Sequence, residues 1–295
     1  MRLASLFAAL SAFATGVVDA REAVMEETSG LPGYTIYRPA QPLEGEARWP
    51  IVAWANGSCA NLGNSYASLL TEIASHGYFV VAIGPIGEPP KRPPPPRQAV
   101  AGTPEEQLRT LVATSGPAPT RPEQLIDAID WAIAASRAGP FAGRIDPERV
   151  AVAGHSCGGL QAIAVSDDPR IDTTIALNSG IFEQPRVKVD KSALDRLHAP
   201  IAYFIGGPGD IAYANAEDDF ARITKVPVLK ANNDFGHGGR LREERGGPTA
   251  VWVVRWLDWI LKDDAEAGKA FVGPDCGLCR EPGWQVERKG LGERR

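Results

Sequence analysis

The chain of 295 residues carries 31 Lys+Arg against 36 Asp+Glu, a formal charge of −5, with 44% hydrophobic and 23% charged residues. This is too apolar and too weakly charged for a disordered chain. An acidic chain without Lys/Arg blocks is a poor partner for nucleic acid, whose phosphates need clustered cations.

Met1-Arg2 opens with a positive charge, Leu3 to Val18 is largely apolar, and small residues precede Arg21. That layout is a secretory signal (residues 1–20) cleaved after Ala20. The stretch is interrupted by Ser5, Ser11, Thr15 and Gly16 and falls short of the roughly 20 residues a membrane span needs. No later segment is long and apolar enough to cross a bilayer, and Cys59 comes too late for a lipoprotein anchor. A secreted or periplasmic protein without a stable membrane anchor is expected, in a compartment where disulfides form.

Tyr34-Thr-Ile-Tyr37 alternates and predicts an antiparallel edge strand. Ile51–Ala55, Phe79–Ile83, Val150–Ala153, Thr174–Leu177, Ile201–Ile205 and Pro227–Lys230 are short apolar runs that mostly do not alternate. Strands covered on both faces read this way. Helices are expected at Tyr66–His76, after Thr120, and at Gly158–Val165, Ala214–Ile223 and Thr249–Lys262. The Thr120 helix has a T-x-x-E start in Thr120-Arg-Pro-Glu123 and one apolar face of Leu125, Ile129, Ala132 and Ile133. The last helix carries Trp252, Trp256 and Trp259, a cluster suited to core. Alternating strands and helices predict an α/β fold, a doubly wound, mostly parallel sheet with helices on both faces, as one domain over residues 21–295. Residues 84–120 break the rhythm. Seven prolines between Pro85 and Pro96 exclude strand and helix there and predict a polyproline-like surface excursion bordering the strand ends where a site would lie. The purpose of the tail, residues 271–295, is not legible.

The chemistry centres on Gly154-His-Ser-Cys-Gly158. A G-x-S-x-G pentapeptide alone is weak evidence, but this one follows the run Val150–Ala153 and precedes the helical stretch from Gly158. A nucleophile elbow needs that strand–turn–helix setting. The helix start would supply free N–H groups and positive dipole beside Ser156.

A serine hydroxyl needs a base, itself oriented by an acid. His76 and His198 each precede a strand and so lie at the wrong end of the sheet. His155 is inside the elbow, with its side chain expected to point away from Ser156. His237 lies beyond strand Pro227–Lys230 in the glycine-rich Asp234-Phe-Gly-His-Gly-Gly239, and is the base by elimination. The acid should follow a strand between Ser156 and His237. Asp210 does, closing Gly206-Gly-Pro-Gly-Asp210. Asp218 and Asp219 fall in a predicted helix and read as solvated; Asp234 is very near His237. An oxyanion hole would draw on the N–H groups of Cys157, directly after the nucleophile, and Ser58, in the loop after Ile51–Ala55.

Four cysteines allow three complete pairings. Adjacent oxyanion donors would bring Cys59 and Cys157 together, as a disulfide or as two buried thiols. Cys276-Gly-Leu-Cys279 lacks the partners for a four-ligand zinc site and reads as a tail staple. No metal and no organic cofactor is implied.

The sequence resembles the α/β-hydrolase superfamily, in particular the branch with secreted polyester hydrolases, cutinase-like esterases and chlorophyllase or dienelactone-hydrolase relatives. The matching pieces are Asn56-Gly57-Ser58, Ala74-Ser-His-Gly77, Gln124-Leu-Ile-Asp-Ala-Ile-Asp-Trp131, Asp146–Arg149, Gly154-His-Ser-Cys-Gly-Gly159, Asp210 and His237. Polyester hydrolases usually carry an aromatic residue at the place of Ser58 and Met at that of Cys157. The resemblance implies a serine hydrolase of carboxylic esters with Ser156, His237 and Asp210 as its triad. The substrate is a small-molecule or polymeric ester; a lipid hydrolase, a peptidase and a non-catalytic binding protein on the same scaffold are the alternatives. With no obvious amphipathic lid or binding module, short or soluble esters are favoured. The sequence does not show the oligomeric state.

Overall fold

A computed structural model describes residues 22–41, 48–88, 102–182 and 186–292. The expected signal segment lies outside these residues, as does the densest proline run. Among the described residues a single nine-stranded sheet forms, in the order β1-β2-β4-β3-β5-β6-β7-β8-β9. Its centre is parallel: β3 (Trp49–Ala55), β4 (Phe79–Ile83), β5 (Ile145–His155), β6 (Thr173–Leu177), β7 (Ile201–Ile205) and β8 (Val228–Asn232). The outer strands β1 (Ala23–Glu26), β2 (Tyr34–Pro39) and β9 (Gln285–Lys289) pair antiparallel.

The apolar runs form the central strands because both of their faces are covered. Along β3, Val52 and Trp54 enter one core with Leu69, Leu70 and Trp256, whereas Ile51 and Ala53 enter another with Leu125 and Ile129. The first of these cores holds α1 (Ala67–Ser75) and α6 (Gly247–Leu261) against the sheet. The opposite side holds α3 (Glu123–Ala135), α4 (Cys157–Ala164) and α5 (Tyr213–Arg222). Trp256 and Trp259 of α6 are buried, as their aliphatic neighbours suggest.

Four expectations need correction. The strand at Tyr34 is antiparallel but not an edge, because β1 pairs outside it. Residues Pro104–Thr114 of the excursion form a helix, α2, started by a capping box in which Thr103 and Glu106 satisfy each other's backbone N–H. The matching pattern at Thr120 is not a cap. Pro122 precedes α3, and Thr120 is buried with its hydroxyl donating to the Cys59 carbonyl at 2.9 Å. Asp219 is not solvated. It is fully buried, accepting from the Ile181 N–H at 2.7 Å and from Lys191 at 2.5 Å. Burial holds its carboxyl above the ordinary value against the opposing pull of Lys191.

The tail acquires a structural role. The Cys276–Cys279 disulfide closes a turn, and β9 then covers the edge of β8, where unpaired backbone groups would otherwise invite association. Among the described residues no helix is long and apolar enough to cross a membrane.

Candidate active site

The strand order fixes where a site can form. The chain runs from β3 to β4 on one side and then crosses to β5 on the other, so the loops leaving β3 and β5 diverge at their carboxyl ends. Such switch points leave a crevice in parallel sheets. The loop after β3 carries Ser58, and the turn after β5 carries Ser156.

Ser156 sits between β5 and α4 at φ 53°, ψ −118°, a conformation L-residues rarely adopt. Close packing holds it there. A Cβ on Gly158 would stand 2.1 Å from the Ala55 carbonyl oxygen, and one on Gly154 would meet the Gly158 backbone at 2.4 Å. Only glycine lets strand, turn and helix approach so closely. The Ser179 hydroxyl donates to the Ser156 carbonyl at 2.8 Å, and Ser156 N–H donates to Leu177 O at 2.9 Å. The backbone of Ser156 is thus held from both sides.

His237 lies with Nε2 2.9 Å from Ser156 Oγ and Nδ1 2.6 Å from Asp210 Oδ1. Asp210 is fully buried just beyond β7. Besides His237, Oδ1 accepts from the Ala212 N–H at 2.9 Å, and Oδ2 accepts from Asn178 Nδ2 at 2.7 Å and the Gly206 N–H at 3.0 Å. Burial alone would raise the pKa of this carboxyl. The hydrogen bonds from His237, Ala212 and Asn178 outweigh it and hold Asp210 below the ordinary carboxylate value. It therefore stays ionised, and His237 Nδ1 carries the proton facing it.

Asn178 was not singled out by sequence; the only hint is its place directly after the apolar run ending β6. Its side chain also donates to Gly236 O at 3.0 Å, joining Asp210 to the loop that carries His237.

Ser58 and Cys157 line one cavity with Ser156 and His237. Both Ser58 (φ 59°) and Cys59 (φ 51°) have left-handed backbone. Asn56 holds this loop: its amide donates to Ala60 O and Ile83 O at 3.1 and 2.8 Å, and it accepts from Trp54 Nε1 at 2.9 Å. Arg186 Nη2 donates to Ser58 O at 2.9 Å. A disulfide joins Cys59 to Cys157, with Cα atoms 5.1 Å apart, so the two segments carrying the candidate donors are covalently tied. The alternative of two buried thiols is set aside.

Removing this bond through a Cys59→Ala/Cys157→Ala pair should lower stability by about 2–4 kcal/mol, since it closes a long loop. The urea midpoint reads the loss. An unchanged midpoint would show that the rest of the fold already constrains these loops.

The cavity is narrow, with a volume of about 40 Å³ and a largely apolar wall, to which α2 contributes Leu108, Leu111 and Val112. The excursion thus borders the site, and part of it forms the amphipathic helix that sequence reading did not find. His76 bonds Glu72 and His198 bonds the Ile171 carbonyl, both away from this cavity.

His155 is buried, and its ring lies between the Tyr66 hydroxyl and the His237 carbonyl. Burial, reinforced by the nearby His237 and Arg242, lowers its pKa to about 3. An unfolded histidine binds a proton below about pH 6.5, a proton that folded His155 refuses. Its contribution to stability is therefore complete above pH 6.5 and is lost as pH falls towards 3. Urea midpoints at pH 7 and 4.5 should fall farther in the wild type than in His155→Gln. Equal declines would contradict the depressed value.

Among the described residues no group of three or more His, Cys, Asp or Glu is placed to hold a metal ion. No family model and no curated protein matches the chain.

Proposed function

We propose that the protein is an exported serine esterase with an α/β-hydrolase fold. The observation carrying this reading is the continuous chain Ser156 Oγ–His237–Asp210, with links of 2.9 and 2.6 Å, opening into an apolar cavity. In this reading Ser156 Oγ attacks the ester carbonyl carbon while His237 Nε2 takes the hydroxyl proton. The carbonyl oxygen becomes an oxyanion and accepts hydrogen bonds from the N–H groups of Ser58 and Cys157. Collapse breaks the carbon–oxygen bond to the alcohol, which leaves with the proton from His237. Water then attacks the acyl-enzyme, giving a proton to the same nitrogen, and the carboxylic acid departs as Ser156 recovers its proton. Asp210 remains ionised throughout, fixing the imidazole tautomer and stabilising its positive charge.

The narrow cavity of about 40 Å³ beside Ser156 leaves little room beyond a short acyl group, so soluble esters with short acyl groups are the favoured substrates. A panel of 4-nitrophenyl esters of increasing chain length, a polyester film and a peptide anilide tests this. The highest kcat/KM should fall on the short esters. A maximum on the film or the longest chains would move the site to polymers or lipids, and cleavage of the anilide alone would make it a peptidase. No turnover of any member, with the fold intact, would favour a binding role.

A further inference from the structure

The hydrolase reading assigns no task to the buried imidazole inside the elbow. His155 Nε2 lies 2.7 Å from the backbone carbonyl oxygen of His237, and Nδ1 lies 2.7 Å from the Tyr66 hydroxyl. A carbonyl can only accept, so Nε2 must carry a proton. Nδ1 of the neutral ring is then a lone pair, and the Tyr66 O–H donates to it.

We propose that His155 is a positioning residue for the base: a neutral, Nε2-protonated imidazole, held in that tautomer by Tyr66, that fixes the His237 backbone so that its ring meets Ser156. This rests on the esterase reading above.

Three separated parts of the chain converge at this ring. Tyr66 comes from the start of α1, His155 from the end of β5, and His237 from the loop after β8. Gly57, beside the oxyanion loop, closes the group: a Cβ there would stand 2.6 Å from both His155 Nδ1 and Tyr66 Oη. Tyr66 is covered in turn by the Arg242 guanidinium, 4.4 Å from its ring centre. The His155 and His237 ring centres are 5.2 Å apart. A second cation so close would oppose protonation of the base during turnover, and the burial that keeps His155 neutral removes that conflict. The elbow thus places the nucleophile through Ser156 and the base through the preceding residue. A displacement of about 1 Å in such a pair costs on the order of 100-fold in rate.

Kinetics on a short-chain ester test the arrangement in the full-length protein with His155→Leu, His155→Gln and Tyr66→Phe. The Leu variant should lose about 10- to 100-fold in kcat with KM within about threefold, because the substrate wall is untouched. Gln can donate an amide N–H towards the same carbonyl and should recover most of that loss. Tyr66→Phe should cost less than Leu, about threefold to tenfold, since it frees the tautomer without removing the ring. Equal losses in the Leu and Gln variants, or losses confined to KM, would overturn the proposal.

An independent arm needs no activity. Nitrogen-15 NMR of the wild-type histidines should show His155 as the Nε2–H tautomer, without titration between pH 8 and 5. An Nδ1–H tautomer, or protonation in that range, would overturn the proposal even if the protein is an esterase. Conversely, the expected spectrum together with full activity of Ser156→Ala would leave this hydrogen-bonded geometry intact and reject the esterase reading alone.

Discussion

Ser156→Ala is expected to lower kcat on a short-chain ester by several powers of ten, on the order of 10⁵- to 10⁶-fold, and His237→Ala by a similar amount. The reason is mutual dependence. Without the hydroxyl there is no acyl-enzyme, and without the imidazole 2.9 Å away the hydroxyl keeps its proton. The double variant should therefore be scarcely slower than either single one, because the two side chains perform one step. KM should change far less, since the apolar wall formed by Leu108, Leu111, Val112 and Leu160 remains. Steady-state kinetics on purified variants with unchanged melting temperatures supply the comparison. Additive losses from the two substitutions would mean that they do not act in one relay.

Asp210→Asn should cost about 10⁴-fold in kcat, and the hydrogen bonds explain why an isosteric amide fails. Each of these four partners of the carboxylate is a donor: His237 and the Ala212 N–H face Oδ1, and Asn178 and the Gly206 N–H face Oδ2. With its NH₂ group towards His237, an asparagine would drive the imidazole to carry its proton on Nε2, where it cannot accept from Ser156. With the NH₂ group reversed, it would meet Asn178 and Gly206, donor against donor. Either orientation leaves a buried polar conflict costing about 1–3 kcal/mol, so the variant should also lose stability. Asp210→Asn with near-normal turnover would transfer the acid role to another carboxylate.

The parts of this arrangement that were legible in the sequence are those encoded locally. The run Val150–Ala153, the glycines at 154 and 158 and the helical stretch beyond them place Ser156 on an elbow because each constrains its immediate neighbours. His237 and Asp210 were found by their positions after strands, which determine the end of the sheet they occupy. The brace beneath them was not legible. Tyr66 and His155 are 89 residues apart, and nothing in either neighbourhood signals that a glycine at 57 leaves room for their contact.

Where one local pattern occurred twice, tertiary structure chose between them. Thr103 and Glu106 form the capping box, whereas Thr120 gave its hydroxyl to the Cys59 carbonyl instead. Strand β9, Gln-Val-Glu-Arg-Lys, has no apolar run because it is a covering edge strand, with Gln285 and Glu287 exposed. Asp219 looked like any acidic residue on an amphipathic helix. Only the fold supplies Lys191, Tyr203 and the Ile181 N–H to receive it.

The most direct measurement is covalent trapping. A fluorophosphonate reacts with a serine only when a neighbouring base removes its proton and donors receive the developing charge. Incubation of the folded protein followed by peptide mass spectrometry should place one adduct on Ser156. Labelling should be absent in Ser156→Ala and strongly slowed in His237→Ala. An unmodified Ser156 after prolonged exposure of folded wild-type protein, or an adduct formed equally fast without His237, would contradict the account.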